Sequence, residues 1–287
     1  MTLQTWMTGR RGFACVASAF VLLYATVFVD LCRNWHRDPN YSHGYLILPI
    51  VGYLIWQRRH RLARVPSRPT GFGLAVMVVS VGVLLVGTAA VEFFLMRLSM
   101  LGVAAGAILY LSGWPMLRAL RFPLVFSLTM IPLPAILFYQ LAFPLQLLAT
   151  RFGVELLRLA HVPVLREGNI IVLAQTTLEV AEACSGIRSV LSLLALSMLY
   201  GYLTETRLLP RVLIAAASIP IAIVANGFRV AGTGLAATYF GVEAAEGFFH
   251  TFSGWLVFVV AFFMLAAFAR AVRAVPYPSR VAAEAAI

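Results

Sequence analysis

Long apolar runs are the feature of this 287-residue sequence that most constrains its fold. A helix needs about 20 mostly apolar residues to cross the hydrocarbon core of a bilayer. The segments that approach this requirement are 12–31, 44–57, 71–93, 98–116, 122–138, 185–203, 211–240 and 251–270. The sequence therefore predicts an all-α polytopic integral membrane protein with about eight transmembrane helices, in a single domain over residues 1–287.

The composition supports a membrane protein and excludes other classes. Hydrophobic residues make up 61% of the chain and charged residues 11%. Soluble domains are about a quarter charged and less than half apolar. The composition thus argues against an ordinary soluble enzyme, a disordered chain and the usual kind of nucleic-acid binder. The net charge of +11 is instead typical of a membrane protein with basic cytoplasmic loops.

The distribution of arginine predicts the orientation of the spans. If the eight segments alternate in direction, most arginines fall on one side of the membrane. They are Arg10, Arg11, Arg58, Arg59, Arg61, Arg64, Arg68, Arg118, Arg121, Arg207, Arg211, Arg270, Arg273 and Arg280. Because basic loops tend to remain in the cytoplasm, both termini are predicted to be cytoplasmic, including a tail at about 271–287.

One long segment, at about 139–184, is predicted to lie on the outer side of the membrane. In its first part, 140–160, apolar residues recur at helical spacing among polar ones. This pattern is typical of an amphipathic helix on the membrane surface. Its second part contains two short strand-like runs, 168–173 and 176–180. We therefore expect a surface helix and a strand pair directly before the sixth span.

Cys184 lies where this outer segment meets the sixth span, followed by Ser185 and Gly186. The small residues allow a tight turn, and a position near a helix N-terminus lowers the pKa of a thiol. Arg188, one turn further on, would add positive charge. These features favour a reactive cysteine. The alternatives are a buried structural cysteine and a disulfide between Cys184 and Cys32.

Two further polar side chains lie in the outer halves of other spans. Arg229 is within the seventh span, where a charge costs about 2.5–3.5 kcal/mol on insertion scales and normally has a partner or a task. Asn226 precedes it on the same helix face, and His250 begins the eighth span. A thiol, an imidazole and a cation at one depth form a nucleophile, a base and an oxyanion-stabilising group. The alternatives are a snorkelling arginine and a solvated histidine.

Weaker candidates are His43, as a substitute base, and Glu182, as an orienting group beside Cys184. A metal site built from His36, His43, His250 and Glu246 is an alternative, but these residues lack the spacing of a typical metal motif. The sequence has no nucleotide-binding motif. We therefore predict neither a metal nor a cofactor.

The sequence resembles the exosortase family of membrane cysteine transpeptidases, which includes the archaeosortases. The resemblance runs from about Trp35 to Ala271. The matching motifs are Ala183-Cys-Ser-Gly-Ile-Arg188, Asn226-Gly-Phe-Arg229, Gly247-Phe-Phe-His250, Tyr41-Ser-His-Gly44 and Met130-Ile-Pro-Leu-Pro134. The resemblance implies that the catalytic residues are Cys184, Arg229 and His250.

The resemblance also implies a substrate and a location. Family members recognise a PEP-CTERM-like sorting signal on exported proteins, which consists of a Pro-Glu-Pro-like motif, a transmembrane helix and a basic tail. The enzyme cleaves near the motif through a cysteine thioester and is thought to pass the new C-terminus to an acceptor, here unknown. The expected setting is the inner membrane of an exopolysaccharide-producing bacterium, among membrane lipids, with the active site facing the periplasm. No nucleic-acid partner is expected.

Two other function classes stay open at the level of sequence. One is a non-catalytic component of exopolysaccharide export or assembly, or a transporter, although the chain shows no internal repeat of the kind that transporters carry. The other is a thiol–disulfide oxidoreductase that uses Cys32 and Cys184, although these cysteines do not form a CxxC pair.

Overall fold

A computed structural model of the chain describes residues 3–174, 176–180, 186–241 and 248–274, and only the backbone of residues 3–13, 15 and 248–251. The helices are α1 Leu3–Arg37, α2 Gly44–Gln57, α3 Arg59–Leu62, α4 Phe72–Ala89, α5 Phe93–Ser112, α6 Trp114–Ser127, α7 Ala135–Leu159, α8 Ile187–Thr204, α9 Leu208–Phe240 and α10 Phe248–Ala274. The strands are β1 Val164–Glu167, β2 Ile170–Leu173 and β3 Thr177–Glu179. Helices account for 81% of the structure, which confirms the predicted all-α polytopic membrane fold.

Seven of the described helices are long and apolar enough to cross a membrane, namely α1, α4, α5, α7, α8, α9 and α10. The predicted span 44–57 is present as α2 with the predicted bounds, but its 14 residues are fewer than the roughly 20 that a bilayer core requires. Two predicted spans, 44–57 and 122–138, are thus not among the seven, whereas α7, predicted as a surface helix, is one of them.

The predicted span 122–138 is not one continuous helix. Helix α6 ends at Ser127, a 3-10 turn follows over Leu128–Met130, and α7 begins at Ala135. The break contains Pro132 and Pro134. A proline lacks an N–H and disfavours the helical conformation of the residue before it, so two prolines this close end one helix and allow the next to begin. The predicted surface helix 140–160 therefore starts earlier, as part of α7, whose 25 residues are long and apolar enough to cross a membrane as well.

The chain divides into two compact units, Met1–Phe138 and Tyr139–Ile287. In the first unit, α4 and α5 pack through small residues. A side chain at Gly73 would overlap the backbone of Tyr110, and one at Gly102 would overlap the hydroxyl of Ser80. Gly102 and Gly106 form a GxxxG pattern, which lets membrane helices approach closely. Glycine spacing thus accounts for the tightest helix pair of this unit.

At the other end of the first unit, buried polar groups join the last turn of α1 and the loop after it to the turn after α6. The indole N–H of Trp35 donates to the carbonyl of Met130 at 2.9 Å. The backbone N–H of Leu133 donates to the hydroxyl of Tyr41 at 3.1 Å. These bonds satisfy donors that would otherwise be buried without partners, which is costly in an apolar interior.

The second unit contains a three-stranded antiparallel sheet in the order β1-β2-β3. The predicted strand pair corresponds to β2 and β3, and β1 adds a strand that was not predicted. Glu167 pairs with Ile170 across a two-residue turn at Gly168 and Asn169, in which Gly168 has φ +64°. The sheet packs on α7 and α9 through a buried cluster that includes Leu157, Ile171 and Val230.

Helices α8, α9 and α10 form a second core in this unit, with buried residues that include Leu193, Ile214 and Leu265. The loop between α8 and α9 is fixed by Arg211, whose guanidinium donates to the carbonyl of Glu205 at 2.6 Å. The Glu205 carboxylate also pairs with Arg273 near the end of α10. The bundle is therefore tied at this end, and its opposite end holds the motif residues.

Candidate functional site

The chain turns sharply into α8 at Gly186. This residue is buried, adopts the left-handed conformation with φ +82°, and accepts a hydrogen bond from the N–H of Val190 at 2.9 Å. A residue with a side chain is strained in that region of φ and ψ, whereas glycine is not. The predicted tight turn before α8 is thus confirmed, and α8 starts three positions after Cys184.

The turn at Gly186 packs against Asn226, in the second half of α9. A side chain added at Gly186 would lie 2.8 Å from Cγ and 2.9 Å from Nδ2 of Asn226. Asn226 itself is 1% exposed. The segment that follows Cys184 therefore contacts the second of the motifs found in the sequence.

Arg229 joins α9 to α10. It lies one turn after Asn226 and is half-buried. Its guanidinium carbon and Nη2 both lie 3.6 Å from the position that a side chain at Gly254 would occupy. The absence of a side chain at Gly254 therefore leaves room for the guanidinium against the face of α10.

Gly254 connects this contact to the third motif. His250 is the third residue of α10, one helical turn before Gly254, and only its backbone is described. Cys184, Glu182 and Glu246 lie outside the described residues. Within the described part, three motif-bearing elements meet: the start of α8, the second half of α9 and the start of α10.

Helix α7 covers the same part of α9 from another direction. A side chain at Gly227, between Asn226 and Arg229, would overlap the ring of Phe152. The Phe152 ring also packs edge-on against Phe228 at 5.6 Å between centroids. An aromatic side chain thus packs directly against the backbone of the Asn226–Arg229 turn.

The strand segment leads into the site from a fixed point. Val180, after β3, is buried in the core formed with α7 and α9, and its N–H donates to the carbonyl of Asn169 at 2.9 Å. Gly186 is the next described residue along the chain, and it packs against Asn226. The stretch that contains Cys184 is therefore held at both of its described flanks.

The remaining candidates lie elsewhere. Arg188, in the first turn of α8, is exposed. Among the described residues, Cys32 in α1 is a free, half-buried thiol, which does not support a Cys32–Cys184 disulfide. Within the described ranges, no three His, Cys, Asp or Glu side chains are grouped as a metal site would need.

His43 belongs to the first unit. Its Nε2 lies 3.1 Å from the carbonyl oxygen of Thr129. A carbonyl only accepts hydrogen bonds, so Nε2 is the protonated ring nitrogen. Burial lowers the pKa of His43, and hydrogen bonds to the backbone of Thr129 and Asn40 offset part of that effect. The observed contacts assign His43 to anchoring the loop before α2.

Sequence reasoning missed the two glycine contacts and the aromatic cover. Gly254 follows His250 by one helical turn, and a small residue at that spacing indicates a close approach on the same face. No comparable signal identified Phe152, because its partner Gly227 is distant in sequence.

One comparison with known proteins identifies the family of the chain. A family model described as transmembrane exosortase matches residues 35–267, which is most of the chain. No curated protein and no solved structure matched. The family match covers all three elements of the site and the loop after α1. The chain is therefore a multi-pass membrane protein that belongs to the transmembrane exosortase family.

Proposed function

We propose that this protein is a membrane-embedded cysteine peptidase or transpeptidase that acts on the C-terminal sorting signal of exported proteins. One observation carries the proposal. The turn after Cys184 packs on Asn226, and Arg229, one turn further along α9, packs on Gly254 beside the start of α10. The start of α8, the second half of α9 and the start of α10, which follow Cys184 or carry Arg229 and His250 in the sequence, are thus in contact, and this supports the proposal.

Chain geometry restricts where the nucleophile acts. Two residues of fully extended chain cover about 7 Å, so Cys184 is tethered within that reach of Gly186, which itself packs on Asn226. Position 184 precedes α8, whose N-terminal dipole favours the thiolate over the thiol. Asn226 is proposed to act as a positioning residue for this loop, and Glu182 and Arg188 are proposed to support it.

The proposed reaction has two halves. The Cys184 thiolate attacks the scissile carbonyl, with the thiol proton held by His250, and Arg229 stabilises the negative oxygen of the tetrahedral intermediate. His250 then gives the proton to the departing amine as the peptide C–N bond breaks and a thioester forms. Water or the nucleophile of an acceptor next attacks the thioester, and the thiol is regenerated.

The substrate proposed for this site is an exported protein that ends in a Pro-Glu-Pro-like motif, a transmembrane helix and a basic tail. The inner membrane is the proposed location, with both termini in the cytoplasm. On this orientation the turn at Gly186 lies on the periplasmic side, at the end of the bundle opposite Arg211 and Arg273. Residues 139–184 are proposed as the catalytic segment of one exosortase domain.

The test is a processing assay in membranes that contain a reporter with such a signal. Mass spectrometry of the reporter identifies its new C-terminus. We expect the wild type to shorten the reporter and Cys184→Ala to leave it intact. Hydroxylamine, added as a small acceptor, should yield a C-terminal hydroxamate if a thioester forms. Processing by Cys184→Ala would overturn the proposal.

Matched variants separate the site from general damage to the protein. Cys32→Ala removes another thiol and should process normally. If it does not, the result would favour a thiol–disulfide oxidoreductase that uses Cys32 and Cys184.

A second pair of variants tests the contact between Arg229 and Gly254. Gly254→Ala makes only an ordinary contact with the Arg229 guanidinium, whereas Gly254→Leu displaces the guanidinium and should abolish processing. Gly232→Leu, at an exposed position of α9 with no atom within 4 Å, controls for added bulk. Equal activity of the two leucine variants would argue against the Arg229 contact.

A further inference from the structure

Arg97 is a buried arginine at the end of the first unit that lies away from the basic loops. It is one turn into α5, which begins at Phe93, and is 6% exposed. Its guanidinium carbon lies 5.6 Å from the centroid of the Phe93 ring. An arginine removed from water normally binds a carboxylate, a phosphate or another acceptor. Its environment therefore shows whether such a partner is built into the protein.

The nearby carboxylates have other partners. Asp30 and Glu92 interact with the charge of Arg97, but Asp30 is paired with Arg33 at 3.2 Å. Glu92 caps α5 by accepting the N–H of Phe94 at 3.0 Å. In the described part of the chain, no carboxylate or other acceptor is bonded to the Arg97 guanidinium. Arg97 thus has a full set of donors available to a ligand.

Two buried acceptors lie at the same end of the unit. Among the described residues, Oδ1 of Asn34 and Oδ1 of Asn40 have no hydrogen-bond partner. Asn34 is one turn after Asp30 on α1, and Asn40 directly precedes Tyr41, whose hydroxyl interacts with the charge of Arg97. Unsatisfied buried acceptors are costly. A ligand that satisfies all three residues must accept from arginine and donate to an amide oxygen.

An apolar groove runs along α5 from Leu98, the residue after Arg97, although Arg97 itself does not line it. It has a volume of about 400 Å³ and lies between α4, α5 and α6. Its walls include Ser80, Val83, Leu98, Leu101, Leu124 and Val125. Leu101 is one turn after Arg97 on α5, on the same face. The groove reaches Gly102, near the middle of α5, and so extends from interfacial depth into the hydrocarbon region.

We propose that Arg97 and this groove bind one phospholipid of the leaflet at this end of the unit. The phosphate accepts from the guanidinium, one acyl chain fills the groove, and N–H or O–H groups of the headgroup donate to Asn34 and Asn40. The ligand class is therefore a phospholipid with a donor-bearing headgroup, for which phosphatidylethanolamine is the probe. Phosphatidylcholine has the same phosphate and chains but no such donor. This inference is independent of the proposed peptidase activity.

The test measures lipid that remains bound to the purified full chain. The protein is reconstituted in equimolar phosphatidylethanolamine and phosphatidylcholine, extracted in mild detergent, and analysed by native mass spectrometry. We expect the wild type to retain phosphatidylethanolamine in preference to phosphatidylcholine. Arg97→Gln should retain about tenfold less, as the loss of a charge-assisted hydrogen bond predicts. Arg97→Lys should be intermediate, because an ammonium keeps the charge but not the planar fork.

A second variant tests the groove without changing the arginine. Val125→Trp fills the groove from a side chain that is 50% exposed, and it should release the lipid. Val79→Trp, on α4 at a 67% exposed position outside the groove, should retain it. The thermal midpoint of each variant shows that it is folded. The proposal fails if Arg97→Gln and Val125→Trp retain lipid like the wild type. It also fails if the wild type retains the two lipids equally.

Discussion

The left-handed turn at Gly186 makes a prediction at the scale of one residue. Gly186→Ala places a side chain in a strained conformation, at a cost of about 1–3 kcal/mol, and pushes it into Asn226. Gly168 is also left-handed, but a side chain there meets no atom within 4 Å. We expect Gly186→Ala to abolish reporter processing and Gly168→Ala to leave it nearly unchanged. Thermal midpoints separate strain, which both variants share, from the Asn226 contact. Equal processing by the two variants would contradict this role of the contact.

His43 makes a prediction about acid stability. Burial lowers its pKa below the ordinary value of 6.5, so the folded protein holds it neutral. Below about pH 6.5 the unfolded chain takes up a proton that the folded chain does not, and the free energy of unfolding therefore falls as the pH decreases. Above that pH His43 is neutral in both the folded and the unfolded state, so it no longer reduces the free energy of unfolding.

The measurement for His43 is the thermal midpoint of the protein in detergent between about pH 7.5 and pH 5.5. This range extends about one pH unit to either side of the ordinary pKa of histidine. We expect the acid-induced decrease to be smaller in His43→Gln, which keeps a donor for the Thr129 carbonyl. His60→Gln changes an exposed histidine and is the control. The interpretation is wrong if both variants follow the wild-type pH profile.

At the scale of elements, the α4–α5 pair depends on glycine at the contact. Gly73→Ala forces a methyl group into the backbone of Tyr110 and should destabilise the first unit by about 1–3 kcal/mol, the usual range for overpacking. Gly82 lies on the same helix with no atom within 4 Å. Gly82→Ala should be neutral or gain about 0.5–1 kcal/mol from helix propensity. Thermal unfolding compares the two, and a Gly73→Ala protein as stable as wild type would refute the close approach.

The boundary between α6 and α7 shows what element prediction lacked. The helical pattern on both sides of 131–134 is apolar, so hydropathy alone favoured one long span. The two prolines carried the missing signal, because each disfavours helix at the preceding residue.

Strand β1 was missed because a turn signal was again given too little weight. The Gly168-Asn169 pair is a typical two-residue hairpin turn, whereas the sequence pattern predicts it as the start of the strand 168–173.

At the scale of the whole molecule, the arginines restrict how many times the chain crosses the membrane. Arg118 and Arg121 lie within α6, and Arg207 and Arg211 lie at the start of α9. Both pairs are cytoplasmic by the positive-inside rule only if an even number of crossings separates them. In the predicted topology the region of α6 and the proline break, predicted as the span 122–138, and α8 supply the two crossings. Helix α7, the least apolar of the seven candidates, then stays on the outer side. Crossings by α7 and α8 would satisfy the rule equally well, so the position of α7 needs a direct measurement.

This topology predicts the labelling of single cysteines introduced at exposed positions. Gln140, near the start of α7, and His161, just after its end, are both exposed. With a membrane-impermeant maleimide, we expect Gln140→Cys and His161→Cys to be labelled from the periplasmic side. Thr204→Cys, at the end of α8, should be labelled only after permeabilisation. Labelling of positions 140 and 161 from opposite sides would show that α7 crosses the membrane instead.

The sequence by itself determined the membrane class, the order of the helices, the turn before α8 and the family. These follow from local properties: apolar runs, arginine in loops, a glycine where only glycine is unstrained, and short motifs. The 44–57 helix was located to the residue for the same reason, although its length sets it apart from the longer spans.

Only the tertiary structure decided which residues touch. Gly186 meets Asn226, 40 positions further on, and Arg229 meets Gly254 on the next helix. Such pairs depend on how helices cross and on where a missing side chain allows close approach, and no periodic pattern along one segment encodes either. The same holds for Arg97, whose sequence context is an ordinary apolar helix. Arg97 becomes buried, near carboxylates that already have other partners, only when α1, α5 and the loop after α1 pack together.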